Sequence, residues 1–342
     1  LLDNFNITDR ADCARVAFDL VVVSVLLDAG AGSNWRYSPL DGAPPLARSE
    51  GLAIASYDLF TSGVFSSNPD NPLQADADAL INLNESVLTR GFQVSHRNPL
   101  VGIAGRTRLL NGVGRAMANR PDIFGKPGRI GNLFDWLYEQ KKSAGVKASS
   151  ANRTQVDEGS LSVVTVFDAL LRGFGEAWPS GRKVDGISIG DVWPHPHAGG
   201  DGRNSNLVPF HKLSQWLTYS LVEPLQAAGI KITDLDRMTG LPEYRNGGLL
   251  LDSEVLVLRD RNILNAALTP GHQCIVEWRA LTVALLDRLA DVLRERYGRN
   301  AAELPLVRIL QGGTWSAGRK IALDHRADGV APIVLASDGT VF

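Results

Sequence analysis

Apolar residues recur at spacings of three and four along most of this chain, and that spacing predicts helices. Thr8 or Asp9 stands where a cap opens a helix running to about Leu27, with Gly30 as its stop. The second half of that segment, LVVVSVLL at 20–27, is apolar on every side. It fits a buried helix, and its valines also fit a buried strand. A further apolar stretch covers Leu52 to Phe60, and amphipathic helices are expected over 76–90, 106–119, 131–141 and 160–174. Segments 125–131 and 143–154 read as loops, the second as one able to be disordered. A helix opens near Pro209 and stops at Gly229, with Pro224 expected to kink or shorten it. The last periodic segment runs from Cys274 to Tyr297 and ends at Gly298. Short strands are expected at 249–251 with 255–258, at 305–310 and at 332–336, with Asp338-Gly339 as a hairpin turn. No internal repeat and no strand–helix alternation is visible, so the expected class is mainly α with a small β element.

Several polar residues break this pattern. The octapeptide LPEYRNGG (241–248) sets Glu243, Tyr244 and Arg245 between a proline and two glycines, as a polar turn or as a loop that holds a carboxylate. Asp28 falls at the negative end of the first helix dipole, either as a surface cap or under a functional demand. The glycine-rich turn at 29–37 delivers Trp35, Arg36 and Tyr37, but lacks the Gly-x-Gly-x-x-Gly spacing of a phosphate loop. Arg48 and Glu50 open the next apolar stretch. On the helix after Pro209, Lys212, Gln215, Trp216 and Tyr219 share one side; Phe210, Leu213, Leu217 and Leu221 share the other. The first side fits a ligand wall or packing against another helix. In the first turn of the last long helix, Glu277 and Arg279 stand two residues apart. From Ser180 to Asn206 the chain is rich in Gly, Pro, Asn and Asp, and reads as a long irregular loop. Within it His195 and His197 have metal-ligand spacing, though the prolines beside them argue against a regular strand.

Composition narrows the field. The chain has 342 residues, 44% of them hydrophobic, enough for one large domain or two closely joined ones. A net charge of −2 with scattered Lys and Arg argues against a nucleic-acid partner. Two distant cysteines argue against a disulfide framework or zinc finger and for a reducing compartment. The longest apolar run, eight residues, is too short for a membrane span, and no signal peptide is visible. A cytoplasmic protein without membrane partner, cofactor or resident metal is expected.

Six runs carry a resemblance: DLVVVSVLLDAGAGSNWRY (19–37), RSEGLAIASYDLF (48–60), VPFHKLSQWLTYSL (208–221), LPEYRNGGLLLD (241–252), VEWRALTVALLD (276–287) and SDGTVF (337–342). In this order they resemble a family of fungal and bacterial proteins tied to uracil catabolism, the fourth component of the ring-opening pyrimidine route. Members usually carry more N-terminal sequence, so a piece before Leu1 is expected. A weaker set of motifs is similar to the queuosine salvage proteins, helical DNA-glycosylase-like hydrolases of the N-glycosidic bond of queuosine 5′-phosphate. Their Phe-x-Lys-Arg-Ala-Gln, Asp-Tyr-Arg-Val-Pro-Gln and Glu-x-Arg-Ala correspond to FHKLSQ (210–215), EYRN (243–246) and EWRA (277–280). This resemblance implies one glycosidase-like domain over 1–342, with the irregular loop at 180–206 and the β element within 249–342. It puts Glu243 in the place of a catalytic aspartate, while Lys212, Gln215, Tyr244, Arg245, Glu277 and Arg279 match outright. The sequence departs where Asp becomes Glu and Val-Pro-Gln becomes Asn-Gly-Gly.

The expected function is hydrolysis of an N-glycosidic bond, with urea released from ribosylurea or its 5′-phosphate. Glu243, Lys212 and Glu277 are the expected catalytic residues. Asp28, Trp35, Arg36, Arg48 and Glu50 are expected to bind the ribosylated substrate from the first half of the chain. His211, Gln215, Trp216, Tyr244, Arg245, Arg279 and Asp338 are expected to bind it from the second. A carboxylate suits this chemistry because the departing nitrogen leaves positive charge on the sugar. The proton for that nitrogen is expected from Asp28, Glu277 or Asp338. Two alternatives remain open at this point: a metal-dependent amidohydrolase or deaminase using His195, His197 and Asp191, and a non-catalytic scaffold of the pathway.

Overall fold

A computed structural model describes residues 7–32, 34–149, 160–178, 182–326 and 328–336, with side chains of 142–149 left out of account. The protein is mainly α with small β elements. The helices are α1 (Arg10–Leu27), α2 (Arg48–Thr61), α3 (Ala77–Ile81), α4 (Glu85–Gly91), α5 (Ile103–Ala118), α6 (Pro121–Phe124) and α7 (Asn132–Ser149). They continue as α8 (Val163–Phe174), α9 (Lys212–Ala227), α10 (Tyr244–Asp252), α11 (Gln273–Tyr297), α12 (Leu306–Ile309) and α13 (Trp315–His325). Among the described residues no helix is long and apolar enough to cross a membrane. The chain divides into two compact units, 1–179 with 216–234, and 180–215 with 235–342.

In the first unit α1 is the central element. Asp9 caps it, accepting from the amides of Ala11 and Asp12. Val22, Val23, Leu26 and Leu27 are fully buried, and the ambiguous valine run is helical. The helix packs against α2, α5 and α7. Burial on all sides supplies what the β-branched residues lose in helix propensity. Gly114 lets α3 lie close to α5, since a Cβ there would stand 2.8 Å from the Ala77 carbonyl oxygen. The helix expected over 76–90 is broken into α3 and α4 at Asn82–Asn84. The loop expected at 143–154 is helical to Ser149, and its remainder lies outside the described residues.

Among the described residues the interior of this unit holds two buried acids, Asp76, which caps α3, and Asp19. Asp19, fully buried, accepts from Arg129 at 2.7 Å and from the Gly131 amide at 2.8 Å. Burial pushes its carboxyl up to about 7, against the pull of Arg129. A group whose folded pKa is raised contributes stability in full below its unfolded pKa of about 4, and loses it as pH rises through about 7. The melting temperature is therefore expected to fall between about pH 4 and about pH 7. Asp19→Asn is expected to flatten that slope; an unchanged slope in the variant would place the titrating group elsewhere.

The strands are two or three residues long. Arg36–Tyr37 (β1) pairs antiparallel with Leu46–Ala47 (β2), and Ser160–Ser162 (β3) pairs parallel with Lys231–Thr233, the last strand among the described residues. Between them lie the hairpins Lys183–Val184 (β4) with Ile187–Ser188 (β5), and Val192–Pro194 (β6) with Leu207–Pro209 (β7); Lys231–Thr233 is thus β8. The β structure is therefore not where alternation placed it. Segment 249–251 lies inside α10 and 305–310 is occupied mainly by α12, while 332–336 contributes one bridge, Leu268 with Leu335. Short apolar runs do not separate buried helix from strand, and packing decided these. The segment 180–206, read as irregular, carries β4, β5 and β6. The Asp338-Gly339 turn lies outside the described residues.

In the second unit α11 is the spine. Its C-terminus closes on Gly298 in the left-handed conformation, φ 61°, as expected. Leu286 and Ala290 pack against α12, while Ile275 and Trp278 pack with Ile333. The short helix α10 is held against α11 and α13. Gly247 makes the first approach possible, since a Cβ there would stand 2.8 Å from the Trp278 indole, and Gly248 lets α10 lie against Pro332. Gly318 of α13 sits still closer, where a Cβ would lie 2.2 Å from the Arg245 carbonyl oxygen. A π-helical turn, Leu310–Thr314, joins α12 to α13.

Candidate active site

The octapeptide at 241–248 resolves into a helix start. Glu243 is extended, φ −114° and ψ 165°, and its side chain caps α10. One carboxylate oxygen accepts from the Arg245 amide at 2.7 Å and the other from the Asn246 amide at 2.6 Å. Both oxygens are thus fixed by the backbone. Glu243 is 7% exposed. Burial pushes its pKa above the ordinary glutamate value, against the two amides and the charges of Lys212 and Arg245. Those four interactions favour the anion, and desolvation outweighs them.

Asn246 ties this cap to the rest of the unit. Its amide nitrogen donates to the Leu241 carbonyl at 3.1 Å, and its oxygen accepts from the Thr314 hydroxyl at 2.8 Å. Thr314 closes the π-helical turn, so the turn reaches the backbone that orients Glu243. The next residue, Trp315, stacks on Arg245 with the guanidinium carbon 3.8 Å from the ring centre. Tyr244 lies on Arg245 at 5.4 Å and accepts from its Nε at 3.0 Å. Arg245 is 4% exposed, and its Nη1 is buried with no hydrogen-bond partner. A shallow cleft nearby is lined by Tyr244, Gly248, Gly318, Arg319 and Pro332.

A second buried pair supports Lys212. Asp191 takes a bidentate grip from Arg279, at 2.9 and 2.6 Å, and accepts from the Trp193 indole at 2.7 Å and the Lys212 amide at 3.1 Å. Its carbonyl accepts from Phe210 and His211. Burial alone would raise the Asp191 pKa; the Arg279 guanidinium brings it below the ordinary value. Arg279 also covers the Phe210 ring at 4.0 Å. The pair therefore anchors the start of α9, and with it Lys212. Gln215, one turn on, donates to the Phe210 carbonyl and accepts from Thr239. His211 adopts φ 46°, and burial lowers its pKa.

Of the sequence candidates in this unit, Lys212, Gln215, Glu243, Arg245 and Arg279 are buried. Lys212 and Arg245 each act electrostatically on Glu243. Glu277 is exposed on α11, and two residues of helix set it about 200° round from Arg279. Asp338 lies outside the described residues. In the first unit Trp35 is fully buried, with its indole donating to the Phe92 carbonyl. Arg36 is exposed, and its backbone is gripped by Asn98. Arg48 opens α2 with φ 53°, and Glu50 is exposed in its first turn. Trp216 is half-buried on α9. Asp28 has a structural partner: buried Arg106 donates to the carbonyls of Leu27, Val101 and Ala29, and Asp28 acts on its charge. The misplaced acid at the helix end is offset by that cation.

His195 is buried and uses Nδ1 to accept the His197 amide at 3.2 Å, while its Nε2 finds no partner. Among the described residues, no three His, Cys, Asp or Glu side chains converge as metal ligands. Asp191, the third residue of the expected metal set, has its oxygens committed to Arg279, Trp193 and Lys212.

Sequence reading passed over Asn246, Thr239, Thr314 and Trp315 as site-building residues. Asn246 carried a signal, because the third helical residue after a cap is where the capping bond falls. Thr314 and Trp315 carried none: they reach the site through a turn whose π-helical width has no sequence signature here.

Such an arrangement defines a mainly helical protein whose second unit encloses a backbone-gripped carboxylate beside two buried cations. Over residues 1–342 the chain matches the family described as "Protein of unknown function (DUF1688)", and it belongs to that family. It is 40% identical over 358 residues to the Lachancea kluyveri protein named Uracil catabolism protein 4, covering 98% of this chain and 78% of that one. It is 39% identical over 334 residues to Protein urg3 of Schizosaccharomyces pombe, covering 96% of this chain and 76% of the relative.

Proposed function

We propose that this protein is an N-glycoside hydrolase of uracil catabolism that releases urea from a ribosylated urea. The name of the Lachancea kluyveri relative supports the pathway. The observation that carries the chemistry is the Glu243 carboxylate, buried and held through both oxygens by backbone amides. As the C1′–N bond breaks, its electron pair leaves with the urea nitrogen and positive charge gathers on C1′ and the ring oxygen. A carboxylate already fixed in a dry site meets that charge without reorganising. Water then supplies hydroxide to C1′, and its proton balances the one taken by the departing nitrogen. Ribosylated urea and water thus give urea and the ribosyl moiety. Lys212 and Arg245 oppose the desolvation that raises the Glu243 pKa, and they are the cations available to meet the oxygens of the sugar. Incubating purified protein with ribosylurea and measuring urea tests the reading. No release from any ribosylated urea, phosphorylated or not, would sink it.

The pH dependence follows from the charges around Glu243. Its ionised form is the active one, so kcat/KM is expected to fall on the acid side with a midpoint above the ordinary glutamate value. Lys212 lowers the Glu243 pKa by its charge, so Lys212→Met is expected to move that acid limb to higher pH. A limb that stays in place would detach Lys212 from the ionisation of Glu243.

A further inference from the structure

The covalent path from Lys212 to Glu243 leaves the second unit. Residues 216–234 belong to the first unit, and the chain returns to the second at Leu235. Chain continuity within the second unit therefore does not fix the spacing of this cation and this acid. A bond between the segment before the excursion and the segment after it fixes it directly. Gln215, the last residue of the second unit before the excursion, makes such a bond with Thr239.

Gln215 is 6% exposed, and both ends of its amide are engaged. Oε1 accepts from the Thr239 backbone amide at 3.2 Å and from the Thr239 hydroxyl at 2.9 Å, which uses both of its lone pairs. Nε2 donates to the Phe210 carbonyl at 3.0 Å, so the side chain spans the turn that carries Lys212. On the far side the run from Thr239 to Glu243 is stiff. Gly240 lies against Leu286, Pro242 fixes its own φ, and the Leu241 carbonyl accepts from the Glu243 amide and the Asn246 side chain. Helix α11 supports both segments from outside, through Arg279 over Phe210 and Leu286 against Gly240. Gln215 joins them to each other.

We infer that Gln215 is a positioning residue, which braces the segment bearing Lys212 against the segment bearing Glu243 and so sets the separation across which the cation acts on the acid. This goes beyond the hydrolase reading and rests on it for the kinetic consequences alone. A glutamine that bound substrate would turn its amide oxygen to the ligand. Here that oxygen is held by Thr239, and the brace is complete without any ligand.

Gln215→Met keeps the length of the side chain and removes all three bonds. It is expected to lower kcat for urea release about tenfold or more while KM stays within about twofold, because misplaced groups slow the chemical step. A second readout needs no turnover. Protein isotope-labelled at glutamate Cδ, with the Glu243 signal identified by its loss in Glu243→Gln, reports the ionisation of that carboxyl by NMR. The charges of Lys212 and Arg245 both lower the Glu243 pKa, so a wider gap to Lys212 is expected to move the titration midpoint to higher pH in Gln215→Met. In a Lys212→Met background the same substitution is expected to add no shift, whereas general loosening of the unit would act in both backgrounds. Thr239→Val removes one donor of the brace and serves if the methionine variant fails to fold. It is expected to shift the midpoint in the same direction, and Thr239→Ser, which keeps the hydroxyl, is expected to titrate with the wild type. A rise in KM at unchanged kcat, an unmoved midpoint in the folded variant, or an equal shift with and without Lys212 would overturn the inference. Should the wild type release no urea from any ribosylated urea, the hydrolase reading falls and the titration still decides the brace.

Discussion

Glu243→Gln is expected to lower urea release by on the order of 10²–10⁴ while the protein remains folded. The substitution keeps the size of the side chain and removes its charge. It also disturbs a cap, since the amide nitrogen of glutamine cannot accept from the Arg245 or Asn246 backbone amide that a carboxylate oxygen accepts from. Loss of a capping bond costs about 0.5–2 kcal/mol of stability. The expected loss in rate corresponds to about 2.7–5.5 kcal/mol of barrier, so a damaged cap alone does not reach it unless the unit unfolds. Melting temperature and urea release measured on the same preparation therefore separate the two roles. A folded variant with wild-type activity would make Glu243 a cap and nothing more.

The second large effect is structural. Gly318→Ala is expected to destabilise the second unit by about 3 kcal/mol or more, because the new methyl group meets a backbone atom rather than a yielding side chain. At 2.2 Å from the Arg245 carbonyl oxygen, the Cβ forces α13 away from α10. Trp315 and Thr314 belong to the same rigid segment, so the stack on Arg245 and the bond to Asn246 move with it. Denaturant unfolding is expected to show a lower midpoint, with loss of activity larger than loss of folded protein. Wild-type stability in the alanine variant would show that the helices have slack that the close packing does not suggest.

Much of this was legible in the sequence where local chemistry decides. Asp9 and Gly298 end their helices as caps do anywhere, and α1 and α11 follow from periodicity and burial. Glu243 and Arg245 stood out in a polar octapeptide, and Lys212 on a helix side shared with Gln215, Trp216 and Tyr219. What was hidden depended on approach between distant segments. LPEYRNGG looked like a turn because of its glycines, yet both lie inside α10, where Trp278 and Pro332 use the space a Cβ would fill. About 1 kcal/mol of helix propensity per glycine is given up for that contact. Asp28 looked misplaced until Arg106, nearly eighty residues on, was seen under the end of its helix. Asp191 read as a member of a histidine metal set, and only the structure commits its oxygens to Arg279 and the start of α9.

The wide turn at Leu310–Thr314 has a geometric consequence. A π-helical turn inserts one residue relative to an unbroken α-helix, which turns all that follows by about 100° and advances it by about 1.5 Å. The azimuth of α13 is thereby set by a single extra position in a Gln-Gly-Gly-Thr segment. With a regular turn, Thr314 and Trp315 would point about a quarter turn away from Asn246 and Arg245. The alignment of acid and cation thus works as a key cut by helix phase, in which one residue more or fewer presents a different face to the lock.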